Sequence, residues 1–598
     1  MKIVCLIKQV PRGDAIRFDE ETRSLVREGV PLELNAFDAF AIAHAVRLRE
    51  QEGGEVVAMT MGPPQAEEAL RATLALGADR CIHLSDRIFA VADTLGTSRT
   101  LALALQKEGA DLVLCGRKTL DSETWQVPPE VAAFLGRPHL MGAISFEASA
   151  SGLQVRTLGD SGEGLYEIEL PALCSVALPP VPVDVDVEPV AEADGKVVVW
   201  SAADLVSDVR PNDKRFGQTG SPTRVLAVRD VSPERMQELF EDPSEAARRT
   251  RELIAERPAP AAAWEKPDRL GEKLGRSYDC WSVVELVEGR VARISLELIG
   301  KSRELAGKLG GRAVALVLGH GLDEAAREAM RHGAEAVVAV EDERLREYRS
   351  DLWADALRQV IERERPHALL IPATSRGRDY GPRAAGELEL GMTGDCVDLN
   401  IDRGGRLIQY KPAYGGNIVS VIMGATTPQL ATVRPRMFEP LMPSDEAEGE
   451  LRRFELDRLP ASRTRLIHQD AGERAFDLDE ADTVVAAGVG VGKDGVEELR
   501  RVANELGAAL GGDRGACEAG IVPRSRQLGL LGRAVAPRLY VAVETAGDFE
   551  HASGSVKAGV IVVFKTSAAP VTGTADVAVA GDWRQTLPAF AEAFSNPS

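Results

Sequence analysis

The sequence predicts an α/β protein: two related doubly wound parallel-sheet domains, followed by a third, C-terminal α/β domain. Three observations predict it. Short apolar runs alternate with amphipathic helical stretches through most of the 598 residues. The second half repeats the first at an offset of about 256 residues, measured from Gly77 to Gly333. A glycine-rich stretch, "TVVAAGVGVGKDGVEELRRVANELG", then opens one more unit near residue 475. Buried strands alternating with helices imply a parallel sheet with helices on both faces.

In the first domain, "KIVCLIKQV", "EVVAMTMG", "CIHLSD" and "ADLVLCG" read as strands. They are short, apolar and rich in β-branched residues, and are bounded by Gly or Asp. "AFAIAHAVRLREQ", "AEEALRATLALG" and "TLGTSRTLALALQKEG" are longer and read as helices. The repeat is clearest between 55–86 and 312–342. In each, a strand ends at Gly62 or Gly319, a helix follows, and Gly77-Ala78 or Gly333-Ala334 closes it. The stretch 111–136 then matches 367–391. The predicted organisation is a first domain over 1–190, an arm and linker over 191–274, a second domain over 275–440, a linker over 441–474 and a third domain over 475–598. Proline and alanine mark 256–274 as a linker, and charge and proline mark 439–453 as another.

The chain carries a net charge of −21, with 71 basic and 92 acidic residues. That balance argues against a nucleic-acid partner, which needs a basic stripe. Seven cysteines are scattered without a CxxC pair, and eight histidines are equally dispersed. Neither pattern suits an iron–sulfur cluster or a zinc site, so no metal is expected. "MKIVCLIKQV" reads as a strand rather than an export signal, and no run reaches the ~20 apolar residues of a membrane span. The expected compartment is the cytoplasm.

Ordered motifs carry a family resemblance. The second half contains "SLELIGKSRELAGKLG", "PATSRGRDYGPRAAGELELGMTGDC", "KPAYGGNIVS" and "PQLATVRPRMF". The first contains "MGPPQAEEALRATLALGADR" and "GRKTLDSETWQVPPEVAAFLG". Together they resemble an electron transfer flavoprotein whose two usual subunits are joined, β before α. "SDRIFAVADTLGTSRTLA" and "GQTGSPTRV" resemble the branch that accepts electrons from NADH and bifurcates them. In that branch the β-type domain holds a second FAD where simpler members hold AMP.

Asp93, Thr94, Thr97 and Ser98 open a helix, where free N–H groups and hydroxyls suit a diphosphate or serve only as a cap. The resemblance implies that Asn35, Thr94, Thr97, Asp121, Thr124 and Gln126 contact the nucleotide of the first domain, FAD or AMP. The turn departs from the family at Ser122, Glu123, Trp125 and Pro128, and Pro128 has no N–H for an anion. Arg378 matches an arginine beside the bifurcating flavin, where a guanidinium stabilises negative reduced flavin; an interdomain ion pair is the other reading.

In the third domain, Arg514, His551 and Asp576 keep the residue types of the family's FAD contacts. Val489, Asp513, Leu530, Leu531, Ala546, Glu550 and Lys565 do not. Each lost hydrogen bond costs about 0.5–1.5 kcal/mol, so FAD binding there is expected to be weak or absent. Two functions follow. The chain carries electrons from a dehydrogenase or NADH through FAD to a partner redox protein, within a larger complex or alone. Alternatively, it is a flavin-poor, AMP-binding or empty scaffold subunit. The resemblance places the family's docking run at "VPVDVDVEPV", which implies either a different partner or an edge that pairs inside a larger complex.

Overall fold

A computed structural model describes residues 1–15, 17–19, 24–26, 29–160, 162–184, 187–191, 193, 195–230, 234–257, 278–416, 418–470, 476–566 and 574–596. Most of the stretch read as a linker over 256–274 lies outside the described residues.

The first sheet is built around the strand Lys2–Leu6. On one side lie Glu55–Met61, Arg80–Leu84 and Val197–Trp200; on the other lie Leu112–Gly116, Ala172–Val176 and His139–Ser149. These seven strands are parallel. The antiparallel strands Gly152–Gly159 and Gly162–Glu169 extend the sheet beyond His139–Ser149.

The second sheet repeats this order strand for strand. Cys280–Val284 is flanked by Ala313–Gly319, Ala336–Glu341 and Glu450–Arg453 on one side. Ala368–Pro372, Gln429–Val433 and Met392–Cys396 lie on the other. The match extends to the backbone. Gly77 and Gly333, after the helices Glu67–Ala75 and Asp323–Arg331, both have φ of +106°. A side chain at either would be strained, which explains the glycine in both repeats.

The third sheet runs Ala509–Gly512, Thr483–Ala487, Leu539–Val543, Val560–Lys565 and Val577–Ala580, all parallel. Its outermost strand comes from elsewhere: Glu238–Phe240, from the arm after the first domain, pairs with Val577–Ala580. The arm's helix Pro243–Glu256 adds Ala246, Ala247 and Leu253 to the third domain's core, beside Leu587 and Phe590. Earlier in the arm, Thr223–Asp230 pairs with Ile418–Gly424 of the second domain. The arm therefore belongs to the packing of both later domains.

The stretch 441–474, read as a linker, also carries two strands. Glu450–Arg453 edges the second sheet, and Thr464–Gln469 pairs antiparallel with Gly162–Glu169 of the first. Their residues are mostly exposed and lack apolar alternation, so only the neighbouring sheet edge defines them as strands. Among the described residues, no helix is long and apolar enough to cross a membrane.

Candidate functional site

The three domains meet around the loop that links the strand Leu112–Gly116 to the helix Val127–Leu135. This is the carboxyl end of a parallel sheet, where such folds leave a crevice. Asn35 is fully buried and ties the loop down: its Nδ2 donates to the Lys118 carbonyl at 3.1 Å, and its Oδ1 accepts from the Leu120 amide at 3.2 Å. The Lys8 ammonium holds Asp121 at 2.5 Å.

Glu123 and Trp125 both take left-handed backbone, with φ of +45° and +63°. That conformation is unfavourable for residues with side chains, and Glu123 is held in it from all sides. Its buried carboxylate meets Lys118 Nζ at 2.9 Å, Arg434 at 3.3 Å and the Gly415 amide at 3.3 Å. Its carbonyl accepts from Lys411 Nζ at 3.3 Å. Burial pushes the Glu123 carboxyl up, but Lys118 and Arg434 outweigh it and hold it below the usual carboxylate range. Lys411, Gly415 and Arg434 belong to the second domain, so Glu123 joins two domains.

Next to Glu123, Trp125 faces a cleft of about 1250 Å³, counted to its open mouth, with walls from all three domains. The Arg378 guanidinium lies 4.5 Å from the centre of the Trp125 ring and that of Arg117 lies 5.3 Å away. Asp395 grips Arg378 at two points, 2.8 and 2.9 Å. The third domain closes the cleft with residues 524–536 and 553–557. Gly415 permits this approach, because a side chain there would stand 2.6 Å from Ser553 Cβ. Arg533 bridges Asp160 of the first domain and Asp479 at 3.2 and 2.6 Å, and Arg117 donates to the Leu531 carbonyl at 3.2 Å.

The cleft is cationic. Arg378, Arg434, Arg533 and Lys118 are matched by Asp395, Glu123, Asp160 and Asp479. Arg117, Arg524 and Lys557 also line it and pair with no carboxylate among the described residues. Two buried donors, Arg117 Nε and Trp125 Nε1, have no acceptor among the described residues. An aromatic face, orphaned donors and surplus positive charge suit an aromatic anion.

The other predicted residues fall elsewhere. Thr94 and Thr97 sit at the start of the helix Thr94–Glu108, away from the cleft lining. Asp93 caps this helix by accepting from the Gly96 amide at 3.0 Å, and also accepts from the Thr223 amide and hydroxyl on the arm at 2.9 and 2.7 Å. Thr94 Oγ1 and Ser98 Oγ donate to the buried carboxyl of Glu130 at 3.1 and 2.8 Å. Gln126 is buried and donates to the Met392 carbonyl of the second domain at 2.9 Å. Thr124 packs its backbone against Gly394.

Burial raises the Glu130 carboxyl well above the usual range, despite Ser98 and Thr94. The folded state then holds a proton that the unfolded chain releases near pH 4.3. Its contribution to stability is complete below that pH and declines as pH rises toward the folded value. Glu130→Gln, which keeps the shape without the charge, is expected to gain thermal stability relative to wild type between pH 5 and pH 8. A difference in melting temperature that stays constant over that range would contradict this.

In the third domain, Asp513 is buried at the start of Arg514–Glu518. One carboxylate oxygen accepts from the Ala516 amide at 2.7 Å and the other from the Ala546 amide at 3.3 Å. Arg514 is bonded to Glu518 at 2.8 Å and stands 3.7 Å from Glu550. His551 Nε2 lies 3.1 Å from the Tyr540 hydroxyl, and its buried Nδ1 has no partner. Asp576 is fully buried under the arm: Arg235 reaches one oxygen at 2.8 Å and Arg257 the other at 3.1 Å.

The structure therefore brings Asn35, Asp121, Thr124, Gln126 and Arg378 to one loop and the cleft it borders. Thr94 and Ser98 meet Glu130, Thr97 stands beside them at the helix start, Arg514 and His551 border the turn that holds Asp513, and Asp576 lies beneath the arm. The cleft presents the Trp125 face beside the Arg378 and Arg117 guanidinium groups. At the two helix starts Asp93 accepts from the Gly96 amide and Asp513 from the Ala516 amide. Sequence reasoning did not find Arg117, Arg434, Arg524, Arg533 or Lys557. Their positive charge converges from three domains, and no local pattern signals that.

Comparisons with known proteins agree with this architecture. The electron transfer flavoprotein domain matches residues 22–205 and again 280–459, and the electron transfer flavoprotein FAD-binding domain matches 477–556. The electron transfer flavoprotein subunit alpha of Clostridium acetobutylicum is 35% identical over 317 residues, covering 52% of this chain and 94% of the relative. That of Thermoanaerobacterium thermosaccharolyticum is 32% identical over 319 residues, 52% of this chain and 97% of the relative. The lactate dehydrogenase (NAD(+),ferredoxin) subunit LctC of Acetobacterium woodii is 31% identical over 319 residues, 52% of this chain and 76% of the relative. These matches support FAD as the general cofactor class. Two matching sheet domains, an α-type third domain and coverage of well over half the sequence lead to one assignment: the chain belongs to the electron transfer flavoprotein family.

Proposed function

We propose that this chain is a one-polypeptide electron carrier in which a β-type half and an α-type half close on a single flavin ring in the three-domain cleft. It receives electrons from a dehydrogenase or NADH and delivers them to a partner redox protein. The observation that carries this reading is Arg378, clamped by Asp395 and stacked on Trp125, in a cleft where three cations pair with no carboxylate among the described residues.

A bound flavin supplies acceptance of two electrons and their release one at a time. The chain's own residues do the rest. Trp125 offers a face for stacking. Arg378 is held in one orientation by two hydrogen bonds, so its charge needs no rearrangement when negative charge appears beside it. Arg117, Arg524 and Lys557 favour the more negative state of whatever binds. Leu158, Met141 and Leu531 line the walls and limit water.

The test begins with the colour of the purified chain and chromatography of nucleotides released by heat. Arg378→Ala is expected to lower the two-electron flavin potential by roughly 30–60 mV, equivalent to about 1.4–2.8 kcal/mol. Arg378→Lys should recover part of the shift, because it keeps charge but not the two-point grip. An unchanged anaerobic redox titration in Arg378→Ala would remove this role.

A second reading is favoured by Asp513, which occupies two amides of the third domain's turn: a flavin-poor scaffold, AMP-binding in the first domain or empty, as a subunit of a redox assembly. The relative LctC is itself named as a subunit of a lactate dehydrogenase. A chain that takes up no flavin after incubation with FAD would support this second reading and rule out the first.

A further inference from the structure

We infer that Asp513 stands in for a ligand's phosphate in the third domain and so sets the chain against nucleotide diphosphates. Three features of that turn converge. The Ala516 amide comes from the helix Arg514–Glu518 and the Ala546 amide from a separate loop after the strand Leu539–Val543, yet both point at one carboxylate. Two backbone N–H groups from different elements aimed at one anion form the usual setting for a phosphate. Asp513 is itself buried, so its charge remains where a phosphate would come to rest.

The surroundings are those of a ligand site rather than of a helix cap alone. His551 is 5% exposed and its Nδ1 has no partner. Glu550 Oε1 is likewise buried without a donor. Arg514, the nearby cation, is drawn to Glu518 and Glu550. A small cavity lined by His551, Thr545 and Gly547 lies alongside. The turn is built to hold an anion, and the anion is part of the protein.

A ligand phosphate arriving at this turn would meet donors already taken and a fixed negative charge. The diphosphate half of FAD then adds little to binding, and a flavin must be held by its ring in the cleft. In this the inference rests on the proposed carrier reading; the behaviour of ADP does not depend on it.

The experiment titrates the full chain, stripped of nucleotide, with FAD, FMN and ADP. Flavins are followed by fluorescence and ADP by calorimetry, for wild type, Asp513→Ser and Asp513→Asn. Serine and asparagine are also good helix caps, so both variants should fold with near-wild-type stability. In wild type, FAD should bind within about threefold of FMN. Both variants should tighten FAD and ADP about tenfold or more and leave FMN within about twofold. Wild type that binds FAD far more tightly than FMN would overturn the inference, as would variants that leave ADP unchanged. If ADP tightens while no protein binds either flavin, the carrier reading fails and the role of Asp513 stands.

Discussion

Glu123→Ala is expected to destabilise the chain by about 3–5 kcal/mol, the range for removing one partner from a buried ion network. The substitution leaves the buried Lys118 ammonium without its carboxylate at the junction of the first two domains and takes from Arg434 one of its two carboxylate partners, Asp395 remaining. Unpaired buried charge is the larger part of that loss; the missing attraction is the smaller part. Alanine also inherits a backbone φ of +45° without the contacts that hold Glu123 there. Glu123→Gln keeps the side chain's length and one acceptor oxygen and should lose less. The pH dependence has a definite sign. The Glu123 carboxyl is held below its usual range, so its contribution is present above about pH 4.3 and is lost as pH falls toward the folded value. Wild type should therefore converge on Glu123→Ala in acid. Urea unfolding at pH 7 and at about pH 3 checks both parts; a loss under about 1 kcal/mol at pH 7 would mean that the network does not join the domains.

Asp576→Ala is expected to have an effect of similar size, about 3–5 kcal/mol, for a different junction. Asp576 is fully buried, as is the head of Arg235, and Arg257 approaches from the end of the arm helix. Removing the carboxylate leaves Arg235 without a counter-charge and frees the Ile561 amide. The arm strand Glu238–Phe240 and the helix Pro243–Glu256 should then loosen from the third domain. Trypsin cleavage at Arg248, Arg249 and Arg251, followed by mass spectrometry, reads this directly. The family resemblance implies another role, contact with a nucleotide. Were that the dominant role, Asp576→Ala would weaken nucleotide binding and leave arm cleavage unchanged.

Much of this architecture was legible in the sequence. The repeat between 55–86 and 312–342 reappears as two sheets with one strand order, and Gly77 and Gly333 reappear with one backbone angle. The turn 120–127 was legible as a candidate because it follows a buried strand at the carboxyl edge of the sheet, and the structure places it there. The strands Glu450–Arg453 and Thr464–Gln469 were not legible. Edge strands of mixed polarity take their conformation from the partner edge, and that edge lies in another part of the chain. The arm was equally opaque, because its strand Glu238–Phe240 is too short to be read apart from Val577–Ala580.

The sequence by itself determined that the chain has three α/β units, that two of them are copies and that its motifs are those of one flavoprotein family. These are properties of local periodicity and of ordered residue patterns, which survive in one dimension. Only the tertiary structure decided what each charged residue meets. It set Glu130 against Thr94 and Ser98, Asp513 against two amides from different elements, and Asp576 beneath the arm. It also drew Arg117, Arg378 and Arg524 to one cleft. The physical reason is that a charge acts on what lies within a few ångströms, whatever the distance along the chain. Arg235 and Asp576, 341 residues apart, are 2.8 Å apart in the fold.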